Sequence, residues 1–196
     1  MTGNKDFIAY LNQPAEIVAP LLLGCRLERE TESGQKLVGR IVETEAYDQS
    51  DAASHSYRGL TPRTEVMFGP AGRLYVYFTY GMHYCCNVVC GPVGMGSAVL
   101  IRAVEPLGGK QVMRQNRRGI ASDLNLTNGP AKFCQAFVID KALNGHDLRT
   151  PPLKLVLAPP LKRTAIMQTT RIGVTADAHR PWRWFIKDNP YVSKTV

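Results

Sequence analysis

The sequence predicts an α+β fold in a single mixed domain, and three observations carry that reading. Helix-like and strand-like stretches follow one another in mixed order, without the regular strand–helix alternation that builds a doubly wound parallel sheet. Two strand-like runs, 74–80 and 84–89, flank Gly81-Met82-His83 and read as a β-hairpin, an antiparallel element. The 196 residues hold no internal repeat, low-complexity tract or linker, and 44% are hydrophobic. That is enough for one core without disulfide or metal staples.

The elements follow in order. Pro14-Ala15-Glu16 leads into apolar residues through Leu23 with Gly24 behind, a short helix with proline in its first turn and glycine ending it. Residues 39–47 alternate: Ile41, Glu43, Glu45 and Tyr47 point one way, Val42, Thr44 and Ala46 the other. The second, apolar set is expected to be the buried face. Residues 48–63 are polar and turn-rich, a loop. Beyond the hairpin, 98–104 reads as a third strand and 110–118 as a basic helix. Residues 128–139 predict a helix with Asn128 near its cap and Pro130 in its first turn. Three further strands are expected at 153–158, 171–175 and 182–187.

Charge is unevenly spread. The net charge is +8, yet residues 1–66 hold 7 Lys/Arg against 10 Asp/Glu, a net of −3, and the remainder carries +11. So basic a remainder suits a polyanionic partner, although charge alone leaves a merely basic soluble protein open. The apolar runs are too short to span a bilayer. No polybasic tail or amphipathic basic helix points to a membrane surface. The polar start, Asn4-Lys5-Asp6, does not resemble a signal peptide, so a cytoplasmic location is expected, nucleoid-associated in a bacterium. Cys25, Cys85, Cys86, Cys90 and Cys134 form no Cys-x-x-Cys pair, and His83 alone lies near the cluster. No metal is therefore expected; small buried hydrophobes in a reducing compartment account for them better.

The chemistry is expected around Glu43, Glu45 and Tyr47. A carboxylate on that face becomes a usable general base if the face borders a cavity, since desolvation raises its basicity. On a solvated face it is only surface charge. Its neighbours are aromatic: Tyr75, Tyr77, Tyr80 and Tyr84 fall within ten residues, and His55 lies in the loop after the Glu-bearing strand. Tyrosine is a good strand former, so most of these could be structural. Tyr80 is less expected at a hairpin mouth, unless it wedges between stacked bases. A basic chain with an aromatic tip and a carboxylate–aromatic cavity suggests a base drawn out of a duplex and worked on.

Several motifs then follow one another at close to the spacing of one family. They are Gly39-Arg40-Ile41-Val42-Glu43-Thr44-Glu45-Ala46-Tyr47, Ala53-Ser54-His55-Ser56, Thr61-Pro62-Arg63-Thr64-Glu65-Val66-Met67-Phe68, Leu74-Tyr75-Val76-Tyr77 with Tyr80-Gly81-Met82, Asn87, Val99-Leu100-Ile101-Arg102-Ala103-Val104-Glu105-Pro106 and Gly129-Pro130-Ala131-Lys132. Over residues 14–193 the chain resembles the alkyladenine (3-methyladenine, or methylpurine) DNA glycosylase family. The resemblance implies an α+β domain with an antiparallel-rich curved sheet, a protruding β-hairpin and surrounding helices. It implies a monofunctional enzyme of base excision repair that flips a damaged purine from double-stranded DNA and hydrolyses its N-glycosidic bond, leaving an abasic site. The expected substrates are 3-methyladenine, 7-methylguanine, hypoxanthine and ethenoadenine.

Position by position, the resemblance makes Glu45 the general base, with Arg102 and the backbone carbonyl of Ile172 holding the attacking water. Tyr47 would stack on one face of the flipped base, His55 and Tyr77 on the other. Asn87 would crowd the exocyclic amine of guanine, and Tyr80, with Met82 beside it, would fill the gap in the duplex. His83 departs from the pattern, because the family is often aromatic there. Alkylation at N3 or N7 charges the purine, which improves the leaving group and its stacking on tyrosine by about 0.5–2 kcal/mol per ring. Glu43 is expected to be structural or peripheral. Attack by water needs no cofactor, and no lysine stands out as a Schiff-base nucleophile. A monomer is expected. The alternatives are a non-catalytic DNA-binding or damage-recognition module on the same fold and a hydrolase of free nucleosides. The zinc-deaminase signature is absent.

Overall fold

The computed structural model describes residues 3–79 and 83–193. Two helices, α1 (Gly3–Leu11) and α2 (Ala15–Leu21), precede the first strands, β1 (Arg26–Glu30) and β2 (Lys36–Asp48). Then come β3 (Leu74–Thr79), β4 (His83–Val89), β5 (Ser97–Gly108), α3 (Lys110–Asn116), α4 (Pro130–Ala136), β6 (Leu153–Val156), β7 (Ile166–Thr169) and β8 (Arg183–Ile186). The strands form one eight-stranded antiparallel sheet, ordered β3-β4-β5-β2-β1-β6, with β8 also on β2 and β7 on β8. The fold is the α+β domain that the sequence predicts.

β2 organises the sheet. One edge pairs with β5 along nearly its whole length; the other pairs with β1 over residues 36–40 and with β8 over residues 43–45. The expected alternation along β2 fails at its centre. Ile41 opposes Val104 and Glu43 opposes Ala103, so Val42 is an extra residue on β2. Thr44 then opposes Ile101, so Arg102 is an extra residue on β5. Two compensating bulges restore the register. A bulge breaks side-chain alternation locally. Ile41 therefore joins Ala46 in the main core, while Val42 packs with Ala103 and Tyr191 in a separate small cluster. The predicted assignment of these two side chains is reversed. The prediction that only one face of this strand is buried is also corrected, since every residue from Ile41 to Ala46 is buried.

The main core lies between the sheet and the helices. Phe7 and Leu11 of α1, Val18 and Leu22 in and after α2, and Phe133 and Phe137 in and after α4 all enter it. Each such side chain contributes about 1.5–3 kcal/mol on burial. Gly39 is needed where β2 passes α4, because a Cβ there would stand 2.9 Å from the Phe137 ring.

Other expectations shift. Residues 171–175 are not a strand: Gly173 takes φ +77°, and Ile166–Thr169 pairs with β8 instead. The helices predicted at 110–118 and 128–139 are shorter, Lys110–Asn116 and Pro130–Ala136. Both α1 and β1 are additional; Phe7 and Leu11, four apart on one helix face, are the signal for α1. All five cysteines are free and buried, as expected. Among the described residues no helix is long and apolar enough to cross a membrane.

Candidate active site

Cross-strand register assembles the site. Tyr75 on β3 lies opposite Asn87 on β4, Asn87 opposite Leu100 on β5, and Leu100 opposite Glu45 on β2. Residues directly opposite one another share a face of the sheet. This row lines a cavity of about 360 Å³. Period two along the strands adds Tyr77 and Tyr47 to the same lining, Arg102 enters it from the β5 bulge, and two loops close over it with His55 and Ile172.

Glu45 is fully buried. Its Oε1 accepts the Ile172 N–H at 2.9 Å, and its Oε2 accepts the Tyr47 hydroxyl at 2.9 Å. Arg102 Nη1 stands 3.5 Å from Oε1. Burial raises the carboxyl above its ordinary pKa; Arg102, the Ile172 N–H and the Tyr47 hydroxyl pull down, and the Glu43 charge adds to the rise. The result is a carboxylate more basic than one in water and still held by donors. Burial, then the neighbouring Glu45, raises the Tyr47 phenol, which keeps it a donor.

Glu43 is equally buried and has more partners. Its Oε1 accepts Arg183 Nε at 2.7 Å and the Ser193 hydroxyl at 3.0 Å, and its Oε2 accepts the Ser193 N–H at 2.7 Å. Arg102 Nε lies 3.2 Å from Glu43 Oε1 and donates to Ser193 Oγ at 3.1 Å. A chain of alternating charge, Arg183–Glu43–Arg102–Glu45, thus runs up from behind the cavity, and its last two members, Arg102 and Glu45, form the cavity floor.

The facing wall is aromatic. Tyr75 and Tyr77 stack with centroids 5.6 Å apart, and the His55 ring stands edge-on to Tyr77 at 4.6 Å. Burial, reinforced by Arg63, lowers the His55 pKa to about 4, so the ring is neutral at pH 7. Arg63 Nη2 can only donate to His55 Nε2, at 3.4 Å, so the ring proton sits on Nδ1 and is donated to the Tyr75 hydroxyl at 3.0 Å. Gly96 lets this loop approach β5, since a Cβ would meet Ser56 and Phe68 at 2.6 Å; the Ser56 hydroxyl donates to the Gly96 carbonyl at 2.8 Å. Burial also raises the Cys85 thiol to about 11, leaving it protonated beside Tyr77.

A second buried ion pair ties the loops to β2. Arg171 donates to both oxygens of Asp51, to the Ala46 carbonyl at 3.1 Å and to the Asp177 carbonyl at 3.3 Å. Its guanidinium also lies 4.7 Å from the Tyr47 ring centroid. One side chain therefore joins β2 between Glu45 and Tyr47, the loop carrying His55, and the segment carrying Ile172.

Of the residues singled out from sequence, Glu45, Tyr47, His55, Tyr77, Asn87, Arg102 and Ile172 all line this one cavity. At Ile172 the recorded contact to Glu45 runs through its N–H. Tyr80 and Met82 lie outside the described residues. Sequence reasoning missed the Asp51–Arg171 pair, the Arg183 and Ser193 contacts of Glu43, and the part Tyr75 plays in the wall. A tyrosine cluster signals Tyr75; no local pattern signals the others, whose partners lie 120 or more residues apart.

Residues 9–190 match the family model described as "Methylpurine-DNA glycosylase (MPG)". A protein of Carboxydothermus hydrogenoformans named "Putative 3-methyladenine DNA glycosylase" is 52% identical over 179 residues, 91% of this chain and 93% of the relative. Relatives with the same name from Methanoculleus marisnigri and Streptomyces avermitilis are 48% and 44% identical. They cover 95% and 96% of this chain, and the matches span 97% and 89% of the relatives. The buried Glu45 carboxylate, Arg102 and the aromatic wall thus sit inside a match that spans nearly the whole chain: the chain belongs to the methylpurine-DNA glycosylase family and is a DNA glycosylase, a hydrolase of N-glycosyl bonds.

Proposed function

We propose that this glycosylase takes alkylated or deaminated purines out of duplex DNA into the 360 Å³ cavity and releases them by direct attack of water, with Glu45 as general base. The observation that carries the reading is a fully buried carboxyl, raised above its ordinary pKa, on the floor of a cavity walled by tyrosines. Water loses a proton to Glu45 as its oxygen bonds to the anomeric carbon. The glycosidic electron pair leaves with the purine: it neutralises one made cationic by alkylation, whereas a neutral base such as hypoxanthine takes up a proton from water as it departs, and in both cases an abasic site remains. The Glu45 charge also favours the oxocarbenium-like sugar. Arg102 keeps Glu45 ionised and, with the Ile172 carbonyl, holds the water.

Recognition falls to the neutral wall. Tyr47 stacks on one face of the base, His55 and Tyr77 on the other, and a purine made cationic by alkylation gains most from electron-rich rings. Asn87, opposite Tyr75 in the sheet, crowds the 2-amino group of guanine. Tyr80 and Met82, in the connection between β3 and β4, fill the space that the base leaves in the duplex. The +11 remainder of the chain neutralises phosphates, so affinity falls steeply with added salt.

The deciding experiment is single-turnover excision from duplexes carrying one hypoxanthine or one 7-methylguanine. Glu45→Gln is expected to keep DNA binding and lose abasic product. Excision by that variant at the wild-type rate would remove Glu45 from the chemistry. Wild-type protein that bound the lesion without forming abasic product would reduce it to a recognition module.

A further inference from the structure

The reaction as proposed makes no use of Glu43, although this carboxylate is fully buried two residues from Glu45 and shares its arginine. Burying a second anion beside the base is costly, and a core position on a strand could have been apolar. The contacts show what it does. Glu43 takes three donors from Arg183 and Ser193, then meets Arg102 through Nε at 3.2 Å. Ser193 Oγ, itself donating to Glu43, accepts from that same Nε. The Nε edge of the Arg102 guanidinium is thus held on the far side, and Nη1 is the group left toward Glu45. Arg102 needs such a hold because it is the extra residue of the β5 bulge, where regular strand geometry does not aim the side chain.

We infer that Glu43, latched by Ser193 of the C-terminal segment, is a positioning residue that aims Arg102 at Glu45 and the attacking water. This rests on the reading of Glu45 as the base. The groups around Glu45 are Glu43 and Tyr47 from its own strand, Arg102 from β5, Arg171 and the Ile172 N–H from the segment after β7, and Tyr77 from β3. Arg183 of β8 is paired with it in register but bound to Glu43. Removing the Glu43 charge lifts the smallest of the influences on Glu45, whereas an Arg102 that loses its aim takes away the largest one opposing burial. A misaimed Arg102 therefore makes Glu45 harder to ionise, and a Glu43 that acted through its charge alone would make it easier.

The test is the pH dependence of single-turnover excision of 7-methylguanine from duplex DNA, corrected for enzyme-free loss. It compares the wild type, Glu43→Gln, Ser193→Ala, Ser193→Thr and Glu45→Gln. For Glu43→Gln the plateau rate is expected to fall about 10- to 100-fold, as for a misplaced catalytic group, while the acid limb moves to higher pH. An unchanged plateau, or a lower plateau with the limb unmoved or shifted downward, would overturn the inference. If Glu43→Gln does not fold, the serine pair decides, since it keeps every charge: a several-fold fall for Ser193→Ala restored by Ser193→Thr supports the latch, and a wild-type plateau for Ser193→Ala rejects it. Glu45→Gln separates the two readings. Wild-type excision by it ends both, whereas a dead Glu45→Gln beside an unaltered Glu43→Gln ends only this one.

Discussion

The floor of the cavity is backed by charge, its wall built from groups kept neutral. Arg183, Glu43, Arg102 and Glu45 alternate in sign at successive distances of 2.7–3.5 Å, almost wholly out of water, and Arg102 and Glu45 bring that chain to the floor. Along the wall, burial holds Tyr77 above its ordinary pKa and His55 near 4, so neither is charged at pH 7. The same desolvation acts on both sides. At Glu45 it is opposed by Arg102 and two hydrogen-bond donors, and at Tyr77 and His55 the neighbouring groups reinforce it, so under the proposed function one cavity would divide chemistry from recognition.

Breaking each side in turn sharpens that division. Loss of the floor base in Glu45→Gln is expected to lower the single-turnover rate about 10²–10⁴-fold, the usual worth of a general base, with lesion affinity nearly unchanged. Loss of a wall ring in Tyr77→Ala is expected to act mainly on lesion affinity, by about 1–3 kcal/mol, the worth of a base–aromatic stack. Titrations with lesion duplex and burst-free rates at saturating enzyme separate the two. If Tyr77→Ala lost rate and Glu45→Gln lost affinity, the division would be drawn the wrong way round.

The joint between the two sides is the Asp51–Arg171 pair, whose side chains are fully buried. Asp51→Ala strands the guanidinium among its backbone partners, and losing one member of a buried pair costs about 3–5 kcal/mol. Urea unfolding is expected to show that loss. Hydrogen exchange is expected to speed first in residues 48–58 and 170–182, the segments that the pair ties to β2. A loss confined to activity, with the unfolding midpoint unmoved, would make the pair catalytic and not structural.

The pH profile tests the division without any change of fold. Glu45 must be ionised to accept a proton, and its pKa is raised, so the rate is expected to fall with falling pH along a limb lying above the ordinary carboxylate value of 4.5. His55, neutral above about pH 4, contributes no limb between pH 5 and 8. His55→Phe should scale the rate about threefold, within the usual worth of an aromatic contact, and leave the limb where it was. A limb near 6.5 that vanished in His55→Phe would show that the wall is titrating.

What could be read in advance divides along similar lines. Glu45 and Tyr47 lie in one contiguous strand pattern, and the tyrosines of β3 in another, so residue chemistry alone drew attention to them; the family resemblance supplied their separate roles. The paired bulges left no mark in the alternation, because Val42 and Ile41 are both apolar and only partner register tells which face each takes. Glu43, read in sequence as structural or peripheral, is structural in the packing, buried and held by Arg183 and Ser193. β7 was missed for a different reason. Ile166–Thr169 is four residues long, and 171–175 has as good an alternation until Gly173 turns through positive φ.

The smallest expected effect lies at the far end of α4, whose N-terminal residues Pro130 and Ala131 line the cavity. The helix closes in a Schellman pattern: the Ile139 N–H reaches the Cys134 carbonyl at 2.8 Å, and the Val138 N–H reaches Gln135 at 3.3 Å. This geometry puts Val138 at φ +52°, a conformation that favours glycine or asparagine and disfavours a β-branched residue. The Val138 side chain is 44% exposed, so little packing is lost with it. Val138→Gly relieves the strain and loosens the unfolded chain, and the balance is expected to be a gain of about 0.5–1 kcal/mol. A higher urea midpoint with unaltered excision would show that this strain is separate from the site. A gain in stability accompanied by slower excision would instead tie the set of α4, and hence the Pro130–Ala131 edge of the cavity, to the wall.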